Sequence, residues 1–216
     1  MDWAYTLAGL VVGFVVGVTG MGGGSLMTPL LVLFFGIPAA TAVGTDLIYA
    51  SITKAGGAWV HSRKGNVNWK LVGWLAAGSL PTAAITALVL VTLGLREQHL
   101  QNLINGVLGV ALGVLVTISS VGAGAIGMVA LLWLYPHVPS VRLVGVDIAH
   151  AVPLTAVAGL GHFFMGSVDF VLLGSLLLGS LPGIYLGSHV SGVFPEYLLR
   201  PVLACMLMLI GGRLVF

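Results

Sequence analysis

The chain has 216 residues, 58% of them hydrophobic and only 6% charged, with a formal net charge of +2. A soluble domain carries roughly a quarter of its residues as charges, so this chain lacks a water-facing surface and reads as an all-α polytopic membrane protein. Its few scattered basic residues exclude a nucleic-acid footprint. Its single cysteine, Cys205, excludes an internal disulfide and a cysteine-built metal site.

The first apolar segment, about Trp3 to Thr19, has no basic stretch before it and reads as a retained span. It runs into "TGMGGGS", where Gly22, Gly23 and Gly24 each cost a helix about 1 kcal/mol relative to alanine and together break it. A short apolar segment, Leu26–Phe35, follows. Ala39–Val60 and Leu71–Leu95 are longer and flank "HSRKGNVNWK", whose Arg63, Lys64 and Lys70 place that loop in the cytoplasm by the positive-inside rule. Next come Leu103–Ser119, a second glycine break "SSVGAGAIG", a second short segment Ile126–Tyr135, and spans over Val141–Phe164, Phe170–His189 and Leu198–Phe216. At ~20 residues per crossing this makes about seven transmembrane helices plus two short glycine-broken helices, in one membrane domain over 1–216.

An offset of 101 residues superimposes the two halves without a gap. Gly44, Asp46, His61, Gly65 and "GSLP" at Gly78–Pro81 recur as Gly145, Asp147, His162, Gly166 and Gly179–Pro182, with 14 identities in the 38 positions from Gly44 to Pro81. Chance would give roughly four in a composition this biased. Repeat one covers about 3–101 and repeat two about 104–202, with a C-terminal helix over 198–216. The basic loop after His61 faces an acidic counterpart, "GHFFMGSVD", after His162, which suits halves inserted in opposite orientations.

Duplicated halves, each with a short glycine-interrupted segment, point to a transporter's binding site. Glycine backbone lets a ligand approach closely, and helix N-termini offer unpaired N–H groups to an oxyanion. The candidate substrate-binding residues are Gly22, Gly23, Gly24, Ser25, Ser119, Ser120, Gly122 and Gly124, with Thr19 as a further hydroxyl donor; close helix packing through small residues is the alternative. Asp46 and Asp147, at equivalent repeat positions in long apolar segments, are candidates for ion coupling or proton carriage, or for contacts at a helix start. Lys54, eight residues after Asp46, either attracts an anion or snorkels to the interface. His150, three residues after Asp147, lies on the same helix face and is placed to donate to that carboxylate or titrate with it. His61 and His162 end their helices and need no ligand role. No cofactor or metal site and no enzyme signature stands out; the two aspartates are accounted for by duplication rather than by an aspartyl-protease dyad.

The stretches "GFVVGVTGMGGGSLMTPLL", "AVGTDLIYASITKAGGAWVH", "AAGSLP", "SSVGAGAIG" and "LVGVDIAHAVPLTAVAGLGH" resemble, in order, signature segments of the sulfite exporter TauE/SafE (TSUP) family. The resemblance implies a multi-pass secondary transporter, a permease or exporter, in the prokaryotic inner membrane. It implies small sulfur-containing anions such as sulfite or organosulfonates as substrates; a proton or sodium is the candidate coupling ion for the two aspartates. A passive anion channel or a helical partner subunit is the other reading, and an oligomeric assembly is compatible with either. One departure stands out: "REQHLQNLIN" runs directly into "GVLGVALGVLVTISS", so one family helix and the central loop are missing.

Overall fold

The computed structural model describes residues 3–20, 26–92 and 137–191, and these form six α-helices and no strand. In chain order they are α1 (Trp3–Thr19), α2 (Met27–Leu33), α3 (Ala39–Arg63), α4 (Trp69–Thr92), α5 (Ser140–Phe164) and α6 (Phe170–Val190). Each fills an apolar segment read from the sequence. The segments Leu103–Ser119, Ile126–Tyr135 and Leu198–Phe216 lie outside the described residues. Two helical stretches, Val141–Phe164 and Phe170–Val190, are long and apolar enough to cross a membrane on their own. α3, at 25 residues, is about 37 Å long at 1.5 Å per residue, enough for the same crossing.

The hairpins α3–α4 and α5–α6 begin and turn at positions 101 residues apart. Both α3 and α5 have 25 residues and start after a proline, Pro38 or Pro139, with φ of −53° and −54°; the ring presets that φ and has no N–H to leave unpaired. Both end in a Schellman turn. Gly65 (φ 69°) donates to Ser62 and Asn66 to His61, while Gly166 (φ 72°) donates to Phe163 and Ser167 to His162. The left-handed residue is glycine because a Cβ is disfavoured there. Three residues on, the Asn68 side chain accepts from the Leu71 N–H and that of Asp169 from Val171 and Leu172, capping the next helix.

Contacts fix the helix directions. Gly44 and Gly57 of α3 meet His162 and Ile148 of α5, so these two run antiparallel. They cross where Ser51 donates to the Val152 carbonyl at 3.2 Å, and these two positions are themselves 101 residues apart. Near the starts of the two helices Gly44 and Gly145, having no side chains, admit the turn that ends the opposite helix. A Cβ on Gly145 would stand 2.7 Å from the Asn66 carbonyl oxygen, and one on Gly44 would strike that of Ser167. α6 lies parallel to α3, with Thr53 beside Ser180 and the Lys64 ammonium on the Ser188 and His189 carbonyls. α1 runs parallel to α6. Gly9, Gly13 and Gly17, spaced by four, seat against the backbone of Leu176, Ser180 and Ile184, while Gly179, Gly183 and Gly187 receive α1 in return. Such small-residue ladders let membrane helices pack backbone to backbone.

One apolar core joins α1, α2, α3 and α6 around Val16, Leu31, Leu176 and Ile184. A second joins the start of α4 to α5 through Val72, Leu143 and Val146. After α1 the chain doubles back, since Phe35 beyond α2 stacks on Tyr5 at 4.7 Å. Four basic side chains, Arg63, Lys64, Lys70 and Arg142, gather at the end of the bundle where α3 finishes and α5 begins; the acidic Asp169 sits at the other.

Candidate functional site

The buried charged side chains among the described residues, Asp46, Lys54 and Asp147, lie on α3 and α5 around the point where the two helices cross. In that order they are 2%, 3% and 3% exposed. Three ionisable groups at that depth in a membrane helix pack persist only if they compensate one another or serve a ligand. Lys54 does not snorkel: its stem stays inside, and the ammonium lies within electrostatic reach of both carboxylates. Asp46 shares α3 with Lys54 and Asp147 stands on α5, so the one cation is influenced by carboxylates from both helices.

The carboxylates have unequal surroundings. Asp46 accepts a 2.6 Å hydrogen bond from Thr28 Oγ1. Thr28 stands in the first turn of α2, directly after the glycine-broken stretch. Asp46 lies two turns into α3, so it cannot satisfy the free N–H groups of its own helix start; it reaches across to α2 instead. Asp46 Oδ1 and Asp147 Oδ2 are buried with no hydrogen-bond partner among the described residues. Position 129, 101 residues after Thr28, is valine and carries no hydroxyl.

One turn beyond each aspartate stands another polar side chain at equivalent positions, Tyr49 on α3 and His150 on α5. His150 Nε2 pairs with Ser79 Oγ at 2.8 Å rather than with Asp147, and its ring feels the Lys54 charge. The Tyr49 hydroxyl lies beside Ser180 and Thr53, whose own hydroxyls are 2.8 Å apart. Ser79 and Ser180 are the serines of the two "GSLP" motifs, each facing a side chain of the other half. A band of hydrogen-bonding and charged groups thus crosses α2, α3, α5, α4 and α6. Thr28, Tyr49, Thr53, Ser79 and Ser180 were not singled out from the sequence; the repeated "GSLP" was the one signal that pointed at two of them.

Of the sequence-derived ion-coupling candidates, the structure brings Asp46, Lys54, Asp147 and His150 together. Gly22, Gly23, Gly24 and Ser25, and Ser119, Ser120, Gly122 and Gly124, lie outside the described residues. Thr19 is described, and its hydroxyl donates to the Val15 carbonyl of its own helix at 2.8 Å. His61 is fully buried, with its Cβ against Gly145, and the Cβ of His162 is against Gly44. Among the described residues no group of three metal-ligating side chains occurs.

The family model described as sulfite exporter TauE/SafE matches residues 5–104 and 94–214. Over 256 aligned positions the chain is 34% identical to "Probable membrane transporter protein YjnA" of Bacillus subtilis (strain 168), covering 100% of both chains. It is 30% identical to "Probable membrane transporter protein YdhB" of the same organism, over 97% of each. The YjnA alignment is longer than the 216 residues here, so that relative carries internal residues with no counterpart in this chain. No solved structure matches. The chain, a bundle of long apolar helices with a buried charge cluster, is matched along its length by this family model and by full-length relatives and belongs to the sulfite exporter TauE/SafE family of membrane transporters.

Proposed function

We propose that the protein is a secondary transporter of small sulfur-containing anions, such as sulfite or organosulfonates, in the prokaryotic inner membrane. In this reading it is built of two inverted repeats with the basic end in the cytoplasm. The observation that carries it is Lys54, buried within electrostatic reach of two buried carboxylates that stand 101 residues apart on the antiparallel helices α3 and α5. With both carboxylates ionised the cluster carries a net charge of −1 and repels an anion. One proton or one bound cation brings it to zero, and an anion then enters without facing a bare negative site. Binding of anion and coupling ion are thereby linked through charge. One glycine break precedes Asp46 in the sequence and the other precedes Asp147, and their amides are the proposed cradle for the oxyanion, with Asp46 reporting on the first break through Thr28.

Sulfite counterflow in proteoliposomes tests the reading. The wild-type protein loaded with unlabelled sulfite should accumulate labelled sulfite transiently, which a passive channel cannot do. Asp46→Asn and Asp147→Asn should insert normally yet lose most net transport, since the charge that couples anion to ion is gone. Gly23→Ala and Gly124→Ala should weaken sulfite binding to purified, monodisperse protein. No counterflow, or wild-type rates from both aspartate variants, would overturn the proposal.

A further inference from the structure

At the basic end the loop after α3, the first turns of α4 and the start of α5 enclose a cavity of about 650 Å³. Its polar lining comprises Lys70, Arg142, Asn66 and Asn68, with no acidic residue, and the rest of its described wall is apolar apart from Gly65. The other two basic side chains at this end are already engaged, Lys64 on the carbonyls that finish α6 and Arg63 stacked 4.4 Å over Trp59. The Lys70 and Arg142 side chains have no such partner among the described residues. Asn68 uses its oxygen to cap α4, which leaves its amide N–H groups for a ligand. Two cations with no partner among the described residues and two amides make a donor set for a phosphate-type oxyanion.

The walls distinguish a lipid from a free ion. Trp69 and Trp74 line the cavity yet are 59% and 72% exposed, as befits side chains at a headgroup boundary. Above Trp74 the same face of α4 continues with Ile85 and Leu88, 63% and 62% exposed. An apolar track therefore leaves the cavity along the helix, where acyl chains lie. We infer that this cavity holds the phosphate of an anionic phospholipid from the leaflet at the basic end, with Lys70 and Arg142 as its ligands and Trp74 under its chains. The site is separate from the charge cluster at the helix crossing and serves the bundle's seating in the membrane, not the passage of substrate.

The test compares thermal unfolding of the purified protein in nanodiscs of phosphatidylcholine with and without phosphatidylglycerol, and counts lipids retained in native mass spectrometry. Phosphatidylglycerol should raise the wild-type Tm by on the order of 3 °C and leave a bound lipid. The double variant Lys70→Gln/Arg142→Gln should lose both effects, whatever its Tm in phosphatidylcholine alone. Arg63→Gln, which removes a charge from the same end but not from the cavity, should keep both. Equal stabilisation of the double variant, equal loss in Arg63→Gln, or full stabilisation of the wild type by inorganic phosphate without anionic lipid would each overturn the inference.

Discussion

Lys54 shows what a single side chain can decide. Removing the one cation of a buried charge group leaves its carboxylates uncompensated, at a cost of about 3–5 kcal/mol. Lys54→Met should therefore destabilise the purified protein by roughly that amount, and adding Asp147→Asn should recover part of the loss. Thermal unfolding of the two singles and the double checks this; strict additivity would mean that the ammonium and the carboxylate do not interact. The charged members of the site were legible in the sequence because charge is expensive in a membrane and so conspicuous there. The hydroxyls were not. Ser175 and Thr155 donate to their own helix at Val171 and Ala151, so a serine or threonine in an apolar run announces nothing. Which of them turns toward a neighbour, as Ser79 and Ser180 do, depends on how the helices are rotated. Nor could helix geometry alone say that Asp147 of the other half comes within reach of Lys54.

Two kinds of glycine hold the elements in place, and alanine disturbs them in different ways. At Gly183 a Cβ would collide with the Leu10 carbonyl of α1, backbone against backbone. Gly183→Ala must push α1 and α6 apart and should lower stability by about 1–3 kcal/mol. At Gly166 there is open space, but φ is 72°, so Gly166→Ala meets only local strain of about 1–2 kcal/mol and leaves the helix packing as it was. Crosslinking between cysteines placed on α1 and α6 separates the two: its yield should fall in Gly183→Ala and hold in Gly166→Ala. The extents of the helices were readable from hydrophobic runs bounded by proline and glycine. α3 nonetheless reaches three residues past the expected Val60, because polar His61, Ser62 and Arg63 stay helical until Gly65 can reverse the chain. The partnership of α1 with α6 was not readable, since a glycine every fourth residue marks a close face without naming what approaches it.

For the whole molecule, equivalent loops lie at opposite ends. Asn66 and Ser167 occupy the same place in their Schellman turns, yet α3 and α5 run antiparallel, so the two residues should face opposite sides of the membrane. In a background with Cys205 replaced by serine, Ser167→Cys should label with an impermeant thiol reagent in intact cells, and Asn66→Cys only after permeabilisation. Labelling of both from one side would exclude inverted halves. The offset of 101 residues was plain in the sequence, and the uneven charge of the two loops hinted at the inversion. What no one-dimensional reading supplied was the exchange between halves, in which Tyr49 of the first meets Ser180 of the second and His150 of the second meets Ser79 of the first.

The glycine ladder between α1 and α6 also bears on how the chain is made. α1 leaves the ribosome first, and the face it will close lies against the last of the described helices. Through most of synthesis that row of bare backbone is exposed to lipid or to the insertion machinery, with no partner yet translated. Nucleating this contact requires closing a loop that spans most of the described chain, an entropic cost repaid only at the end. The two halves should therefore not mature one after the other. Nascent chains stalled before Phe170 should remain protease-sensitive at α1, and protection should arrive in a single late step once α6 has emerged.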